Sequence, residues 1–268
     1  MNAVVLARGK GTRMQRAGTA ATVTPEQTRI ADAGLKAMIP FRRPFLDYVL
    51  SGLADAGCRR VCLVIGPEHE TIRDYYQRVR VPERIEVSFA VQREARGTAD
   101  AVLSAQPFAG HDPFLAINAD NYYPIPALRA LAALDGSGLV AFRRATLIEE
   151  SNIDPDRIRN FALLTIDAHG NLSDIVEKPD ADAADRLGDR ATVSMNCWRF
   201  GPAIFDACRA IAPSPRGELE LPTAVRHAMH VLHERFRAIP VDGGVLDLSR
   251  RDDIVEVERR LANVEPRP

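Results

Sequence analysis

Residues 1–14 constrain the fold more than any other stretch of this chain. The apolar run from Ala3 to Ala7 predicts a buried parallel strand. It is followed by Gly9 to Met14, where glycines alternate with basic and polar residues. Glycines let backbone N–H groups approach an anion closely, and Lys10 and Arg13 supply positive charge. The stretch predicts a phosphate-binding loop at the carboxyl end of the first strand or, taken alone, an ordinary turn, because it matches neither the Walker A nor the G-x-G-x-x-G pattern.

Length and charge restrict the class of protein. The 268 residues are 46% hydrophobic and 26% charged, which suits one large α/β domain with a well-developed core. Lysine and arginine number 35 against 36 aspartates and glutamates, so the net charge is −1. This balance argues against a nucleic-acid-binding surface, which would be strongly basic. Any positive charge at a functional site must therefore be local.

The chain shows no signal for a membrane or for secretion. No apolar run approaches the length of a transmembrane helix, and no basic segment, apolar run and cleavage site open the sequence. We therefore expect a cytoplasmic protein without a membrane partner. Cys58, Cys62, Cys197 and Cys208 form no C-x-x-C pair and are predicted to be buried, reduced thiols.

Strands and helices alternate through the first half of the chain. Strands are predicted at 61–65, 85–91 and 114–118, and helices at 44–56, 68–78 and 97–105. This order predicts an α/β fold with a doubly wound, mostly parallel, Rossmann-like sheet whose ligands bind at the carboxyl ends of the strands.

From about residue 138 the pattern becomes mixed. The predicted strands are 139–143, 161–167, 172–177, 192–200, 237–241 and 245–248, with a hairpin turn at 169–171. Helices are predicted at 202–211, 221–236 and 251–262. There is no internal repeat, so we expect one domain with two halves, about 1–137 and about 138–268.

The segment from Gln15 to Gly34 has the features of an insertion with its own helix. Thr24 is placed as N-cap, Pro25 as first helical residue and Gln27 as the closing residue of a capping box. The segment is interpreted either as a lid over a ligand or as a surface loop that carries one short helix.

Several charged residues stand at predicted strand ends. Asp120 follows a buried strand, where a carboxylate suits either a Mg²⁺ site or a turn. Asp247 lies between two leucines and needs a partner, for which a metal is one candidate. Lys36 is interpreted either as a second phosphate contact or as a surface lysine.

These elements occur in the order of a known family pattern. L-A-x-G-x-G-T-R-M covers Leu6 to Met14, and K-x-M-I-P covers Lys36 to Pro40 with alanine in place of the first proline. Q-x-x-x-x-G-T-A is complete at Gln92 to Ala99. Asp120-Asn121, Glu177 to Pro179, Asn196, Gly217 to Leu221 and Asp247 supply the later elements. The chain thus resembles the sugar-phosphate nucleotidylyltransferases (NDP-sugar pyrophosphorylases), which include glucose-1-phosphate thymidylyl- and uridylyltransferases.

The resemblance implies a nucleotide-binding first half, a sugar-phosphate-binding second half, and transfer from an NTP to a sugar 1-phosphate with Mg²⁺. It implies metal binding by Asp120 and Asp247 and catalytic roles for Arg13, Lys36 and Lys178. The implied nucleotide-binding residues are Leu6, Ala7, Arg8, Gly9, Gly11, Thr12, Gln92, Gly97 and Thr98. The implied sugar-binding residues are Asn121, Ala162, Glu177, Asn196 and Trp198. A homo-oligomer is compatible with the apolar helices near the carboxyl end.

Departures from the pattern leave the substrates open. Arg8 stands at a position that is commonly glycine in the family. Three interpretations are open: Arg8 favours a purine base, it adds a contact to the triphosphate, or its side chain faces solvent and has no role. Ala162 replaces a glycine, and Trp198 is interpreted as core or as a sugar-stacking residue. The alternative functions are transfer to a non-sugar phosphate, such as a cyclitol or amino-alcohol phosphate, and a catalytically silent nucleotide sensor.

Overall fold

The computed structural model describes residues 1–9, 11–16, 23–177, 188 and 191–268. Lys10 and Lys178, two cations of the predicted phosphate site, lie outside the described residues. Within the described part, no helix has the length and apolar character needed to span a membrane.

The first half builds the parallel part of a large sheet. Strand β1 (Asn2–Leu6) lies between β2 (Arg60–Ile65) and β4 (Phe114–Asn118), and pairs in parallel with both. Strand β3 (Glu86–Val91) continues the parallel pairing beyond β2. The parallel sheet predicted from the alternating pattern is confirmed.

The second half extends the sheet in mixed directions. Its strands are β6 (Ser137–Arg143), β7 (Leu163–Ile166), β8 (Leu172–Val176), β9 (Thr192–Val193), β10 (Trp198–Phe200) and β11 (Phe236–Val241). The order across the sheet is β3-β2-β1-β4-β10-β6-β9-β7-β8, with β11 parallel to β6. Strand β10 is antiparallel to both β4 and β6, so it joins the two halves. A separate ribbon pairs β5 (Asn121–Tyr122) with β12 (Leu246–Asp247).

Helices cover both faces of the sheet. They are α1 (Thr12–Gln15), α2 (Pro25–Asp32), α3 (Phe45–Asp55), α4 (Glu70–Asp74), α5 (Thr98–Ser104), α6 (Gln106–Ala109), α7 (Ile125–Ala132), α8 (Arg144–Glu150), α9 (Pro155–Ile158), α10 (Ala203–Ala210), α11 (Leu221–His230) and α12 (Asp253–Leu261). A 3₁₀ turn spans Lys36–Met38, and a π-helical turn at Tyr75–Val79 follows α4.

Alternate residues of the central strands enter two separate cores. Val5 and Ile117 belong to the core on one face of the sheet, whereas Val4 and Ala116 belong to the core on the other face. Successive side chains of a strand point to opposite faces, so a strand covered on both sides must be apolar throughout. The uninterrupted apolar runs in the sequence follow from this burial.

Tertiary pairing changed two predicted elements, and two helices were missed. The strand predicted at 192–200 divides into β9 and β10, because Asn196 between them has a left-handed φ of 54°. The helix predicted at 221–236 ends at His230, and the chain enters β11 to pair with β6. Helices α7 and α8 were not predicted; α7 is preceded by Pro124 and includes a further proline at its second position.

The helix within the insertion is confirmed with its capping box. Thr24 Oγ1 accepts from Gln27 N at 3.2 Å, and Thr24 N donates to Gln27 Oε1 at 2.9 Å. Gln27 Nε2 also donates to Pro40 O at 2.9 Å, and Ala31 is fully buried. Helix α2 is therefore packed into the core, and residues 17–22 lie outside the described part. The cysteines are unpaired and buried, as predicted.

Candidate active site

A cleft of about 440 Å³ opens where the sequence predicts it, at the carboxyl ends of the first-half strands. Residues from β1, β4, the Lys36 turn and the start of α5 line one part of it. Residues following β8 and preceding β10 and α11 line the other part. Each half of the chain thus contributes to one continuous cleft.

The glycine loop after β1 rests directly on the backbone of the insertion. Gly11 has a φ of 61°, and a Cβ on it would lie 2.3 Å from Gly34 O. Only glycine fits this approach without moving the backbone. Gly9 lies beside the Lys36 side chain, so the loop and Lys36 form one wall of the cleft.

Lys36 and Asp120 form an ion pair inside the cleft. The Lys36 ammonium contacts the Asp120 carboxylate, and the two side chains are 23% and 14% exposed. These residues are 84 positions apart in the sequence. They meet because the turn that carries Lys36 lies beside the glycine loop after β1, and β1 is paired with β4, which precedes Asp120. The pair supplies a cation for phosphate and a carboxylate suited to a divalent metal.

Arg8 turns into the site and not toward solvent. Its side chain is 10% exposed and lines the cleft. The guanidinium donates to the Gln92 carbonyl and to Glu68, with Arg8 Nε 3.2 Å from Glu68 Oε1. This contradicts the interpretation in which Arg8 faces solvent. The two interpretations that remain are a contact with the base and a contact with the triphosphate.

His69 lies next to Arg8 at the edge of the cleft. It is 7% exposed, and its Nδ1 accepts from Gly66 N at 3.4 Å. Burial lowers the pKa of His69 below its ordinary value, which favours the neutral imidazole with the proton on Nε2. His69 was not predicted as a site residue, because a single histidine in a loop gives no pattern.

The Gly97-Thr98-Ala99 segment is bound to the segment before α11. Ala99 N donates to Leu219 O, and Thr98 Oγ1 accepts from Leu221 N, both at 2.9 Å. Gly97 has a φ of 117°, and a Cβ there would lie 2.5 Å from Leu219 O. Two motifs far apart in the sequence therefore meet as hydrogen-bonded partners, and Gly97 is required by this contact.

The second half of the chain lines the cleft with charged and amide groups. Arg216, Glu218 and Glu220 line it together with Glu177 and Asn196. Arg216 lies 2.5 Å from Glu220 and 3.9 Å from Glu218, and its pKa is raised chiefly by the hydrogen bond to Glu220. Arg216 was missed in the sequence, where it resembles any exposed arginine in a loop.

Asn196 is held toward the cleft by Trp198. Trp198 Nε1 donates to Asn196 Oδ1 at 3.3 Å, and the indole ring is fully buried. Its ring stacks on Phe200 with centroids 5.5 Å apart. Trp198 thus belongs to the core, and the sugar-stacking expectation is corrected, because a fully buried ring exposes no face to a ligand.

Asp247 lies in a buried cluster behind Asp120. Its carboxylate pairs with Arg157 and accepts from Asn121 Nδ2 at 2.9 Å, while Arg157 also contacts Asp253 at 2.9 Å. Arg157 is 8% exposed, Asp247 5% and Asp253 6%. Burial raises the pKa of Asp253, against the opposing effect of Arg157. Burying these ionisable groups together costs desolvation, which their mutual contacts offset.

The donor set fits a divalent cation at Asp120, whose carboxylate lines the cleft. Asp247 does not line the cleft. Its carboxylate accepts from Arg157 and Asn121 and still retains lone pairs that a metal could use. The two aspartates adjoin through the backbone, since Leu248 N donates to Asp120 O at 2.9 Å. Among the described residues, no three His, Cys, Asp or Glu side chains gather into a metal cluster.

Most of the predicted ligand residues meet in the cleft. The predicted residues that line it are Leu6, Ala7, Arg8, Gly9, Thr12, Lys36, Gln92, Gly97, Thr98, Asp120, Glu177 and Asn196. Those that do not line it are Gly11, Arg13, Asn121, Ala162, Trp198 and Asp247. Arg13 is exposed on α1, and Ala162 is buried with its carbonyl accepting from Ser194 N.

Comparison with known proteins assigns the chain to a family. The sequence profile described as nucleotidyl transferase matches residues 2–263, so the chain belongs to the nucleotidyl transferase family. It is 28% identical to the UTP–glucose-1-phosphate uridylyltransferase AglF of Haloferax volcanii, over 97% of this chain and 96% of that protein. It is 29% identical to a glucose-1-phosphate thymidylyltransferase of Streptomyces antibioticus, over 100% of this chain and 68% of that protein.

Solved structures show the same fold. A crystal structure of UDP-glucose pyrophosphorylase complexed with UDP-glucose matches with a TM-score of 0.76 and 18% identity, covering 98% of this chain and 99% of that one. This likeness shows the shared fold. The profile match and the relatives place the chain among the sugar-phosphate nucleotidyltransferases.

Proposed function

We propose that the protein transfers a nucleotidyl group from an NTP to a sugar 1-phosphate and releases pyrophosphate. The observation that carries this proposal is one cleft lined by chemically different residues from the two halves of the chain. Gly9, Thr12 and Lys36 from the first half suit a triphosphate, and Asn196 and Arg216 from the second half suit a phosphorylated polyol.

The reaction is an in-line displacement at the α-phosphorus of the NTP. A phosphate oxygen of the sugar 1-phosphate forms the new bond, the bond from the α-phosphorus to the bridging oxygen breaks, and pyrophosphate leaves. The attacking oxygen is already ionised at neutral pH, so no side chain has to remove a proton. The protein contributes position and compensation of negative charge.

Lys36 and Asp120 would carry most of that task. Lys36 stands beside the glycine loop, where its ammonium would neutralise charge on the phosphates. Asp120 would hold a divalent cation, with Asp247 as the proposed second ligand behind it. When bound, Mg²⁺ supplies charge neutralisation and Lewis-acid activation at the phosphates. Arg13 and Lys178 stay proposed phosphate contacts from the resemblance.

One feature favours a second class of acceptor. Glu177, Glu218 and Glu220 line the cleft together with Arg216, which lies 2.5 Å from Glu220 and 3.9 Å from Glu218. Carboxylates at this density would also accommodate an amino group, as in an amino sugar phosphate or an amino-alcohol phosphate.

The test is a pyrophosphate-release assay over a matrix of substrates. We would combine UTP, dTTP, GTP, ATP and CTP with glucose 1-phosphate, N-acetylglucosamine 1-phosphate, inositol 1-phosphate and phosphoethanolamine. Release with one sugar 1-phosphate supports the proposal, release with phosphoethanolamine alone supports the second class, and release with inositol 1-phosphate alone contradicts both. A folded protein that releases no pyrophosphate with any pair would contradict both and favour a silent nucleotide sensor.

A further inference from the structure

Arg251, in the loop before α12, contacts two segments that border the cleft. Its Nε donates to Met14 O at 3.3 Å, and its guanidinium also contacts the Asp32 carboxylate. Met14 and Arg251 are 237 positions apart in the sequence. The Arg251 side chain is 14% exposed and does not line the cleft. Arg251 therefore influences the site through the two segments that it joins.

These two segments touch each other at the wall of the cleft. The glycine loop leads into α1, whose Thr12 lines the cleft, and the chain after α2 reaches Gly34, which lines it too. A Cβ on Gly11 would lie 2.3 Å from Gly34 O, so the two backbones are in direct contact. A shift of α1 relative to α2 would therefore displace the glycine loop.

The contact with Met14 O caps a helix end. Helix α1 is one turn long, and the last carbonyls of a helix have no partner within it. Arginine is one of the side chains that donate to such carbonyls. The Met14 side chain is fully buried, so the residue that Arg251 holds is also fixed in the core. The Asp32 carboxylate is 59% exposed, so the contact with Met14 O should carry the larger effect.

The loop that carries Arg251 is itself held by the buried cluster. Asp253 Oδ2 accepts from Ser249 N at 2.9 Å and from Arg250 N at 2.7 Å. Asp253 Oδ1 accepts from Arg157 at 2.9 Å. A buried polar network in which each group has its partner holds one geometry. Arg251 thus extends from a rigid loop, and its side chain can fix α1.

We propose that Arg251 is a positioning residue that fixes the glycine loop for the triphosphate by capping α1 and joining it to α2. This rests on the proposed function, because it concerns the phosphate part of that site. A loop that is held before the ligand arrives loses less conformational freedom on binding. Misplacement of a group by about 1 Å can cost about a hundredfold in rate.

The experiment measures phosphate affinity and turnover separately, on the full-length chain. Calorimetric titration with tripolyphosphate at saturating Mg²⁺ gives a Kd that involves neither nucleoside nor acceptor. Pyrophosphate release gives kcat and both KM values for the NTP and sugar 1-phosphate that the wild type accepts. Arg251→Leu removes both contacts, and Asp32→Asn weakens only the ion pair.

Arg84→Leu is the matched control. Arg84 also joins a backbone carbonyl to an aspartate, with Nη1 2.9 Å from Arg267 O and Nη2 2.7 Å from Asp55. It does not line the cleft and contacts neither α1 nor α2 through these bonds. R84L therefore reports what the loss of such an arginine does to the protein in general.

The expected pattern separates position from stability. R251L should raise the Kd for tripolyphosphate and the KM for the NTP at least about tenfold, because α1 loses its cap. The KM for the sugar 1-phosphate should stay within about twofold, and D32N and R84L should keep all three values within the same limit. If R251L does not fold, R251K replaces it; lysine lacks the planar fork that holds both acceptors, and the Kd should rise at least about threefold.

Three results would overturn the proposal. An unchanged tripolyphosphate Kd in folded R251L contradicts it even if the wild type turns over, and so does an equal rise in R84L. Weaker Mn²⁺ binding in R251L, measured by electron paramagnetic resonance at saturating tripolyphosphate, would assign the effect to the neighbouring Asp247. If the wild type releases no pyrophosphate but R251L still weakens tripolyphosphate binding about tenfold, the proposed function fails and this inference stands.

Discussion

Asp120 accepts a backbone hydrogen bond from Leu248, the residue after Asp247, and yet the two aspartates occupy opposite environments. Asp120 lies in the cleft with Lys36, and both side chains keep some exposure to solvent. Asp247 lies in the interior with Arg157 and Asp253, all less than a tenth exposed. The first pair is accessible to a ligand, whereas the second supports the backbone behind it.

The difference shows how burial divides the work of charged residues. A partly exposed pair contributes little to stability, so a substrate or metal can replace one partner at small cost. A buried pair has lost its hydration and depends on its partner, so it holds its geometry rigidly. We infer that Arg157 keeps Asp247 and the loop beside Asp120 in place.

The largest effect should come from Arg157→Leu. This change leaves two buried carboxylates without their common cation, and we expect the free energy of unfolding to fall by about 3–5 kcal/mol. Chemical denaturation followed by circular dichroism measures it. A loss below about 1 kcal/mol would mean that water reaches this cluster and that the contrast between the two sites is false.

Asp120→Asn should affect activity and leave stability nearly unchanged. Removing the carboxylate should lower kcat by at least about a hundredfold, the scale for one electrostatic group at a reacting phosphate. The matched control is Asp55→Asn, at a surface pair with Arg84 of 2.7 Å, which should turn over at the wild-type rate. Near wild-type turnover in D120N would remove Asp120 from the mechanism.

Asp247→Asn should lower the free energy of unfolding and the metal affinity, with smaller effects than the two changes above. Loss of the charge weakens the contact with Arg157, and we expect about 1–3 kcal/mol less stability. If Asp247 is the second ligand, Mn²⁺ affinity measured by electron paramagnetic resonance with bound NTP should also fall about 10–100-fold. Unchanged Mn²⁺ affinity together with reduced stability would make Asp247 a structural residue only.

Arg143→Leu should have the smallest effect. Arg143 pairs with Asp242 at 2.5 Å, but the two side chains are 50% and 64% exposed. Exposed pairs of this kind contribute little, because water and salt screen them. The denaturation midpoint of R143L should coincide with that of the wild type. A clearly lower midpoint would show that the geometry of an ion pair determines its contribution to stability more than its burial does.

The sequence was most informative where one residue type had to satisfy a local requirement. The capping box at Thr24 was predictable, because side chain and backbone within four residues complete it. Gly97 was predictable from its motif, although its contact with Leu219 was not. Arg216 gave no signal, since only the fold places its side chain in the cleft.

What the sequence determined by itself is the order of the elements and the composition of the first strand and loop. Uninterrupted apolar strands alternating with helices require a sheet covered on both faces, and the glycine loop follows its first strand. Only the tertiary structure decided that Asp120 faces the cleft while Asp247 is buried with Arg157. The physical reason is that burial and pairing depend on distant segments, and their contact energies exist only after the chain has folded.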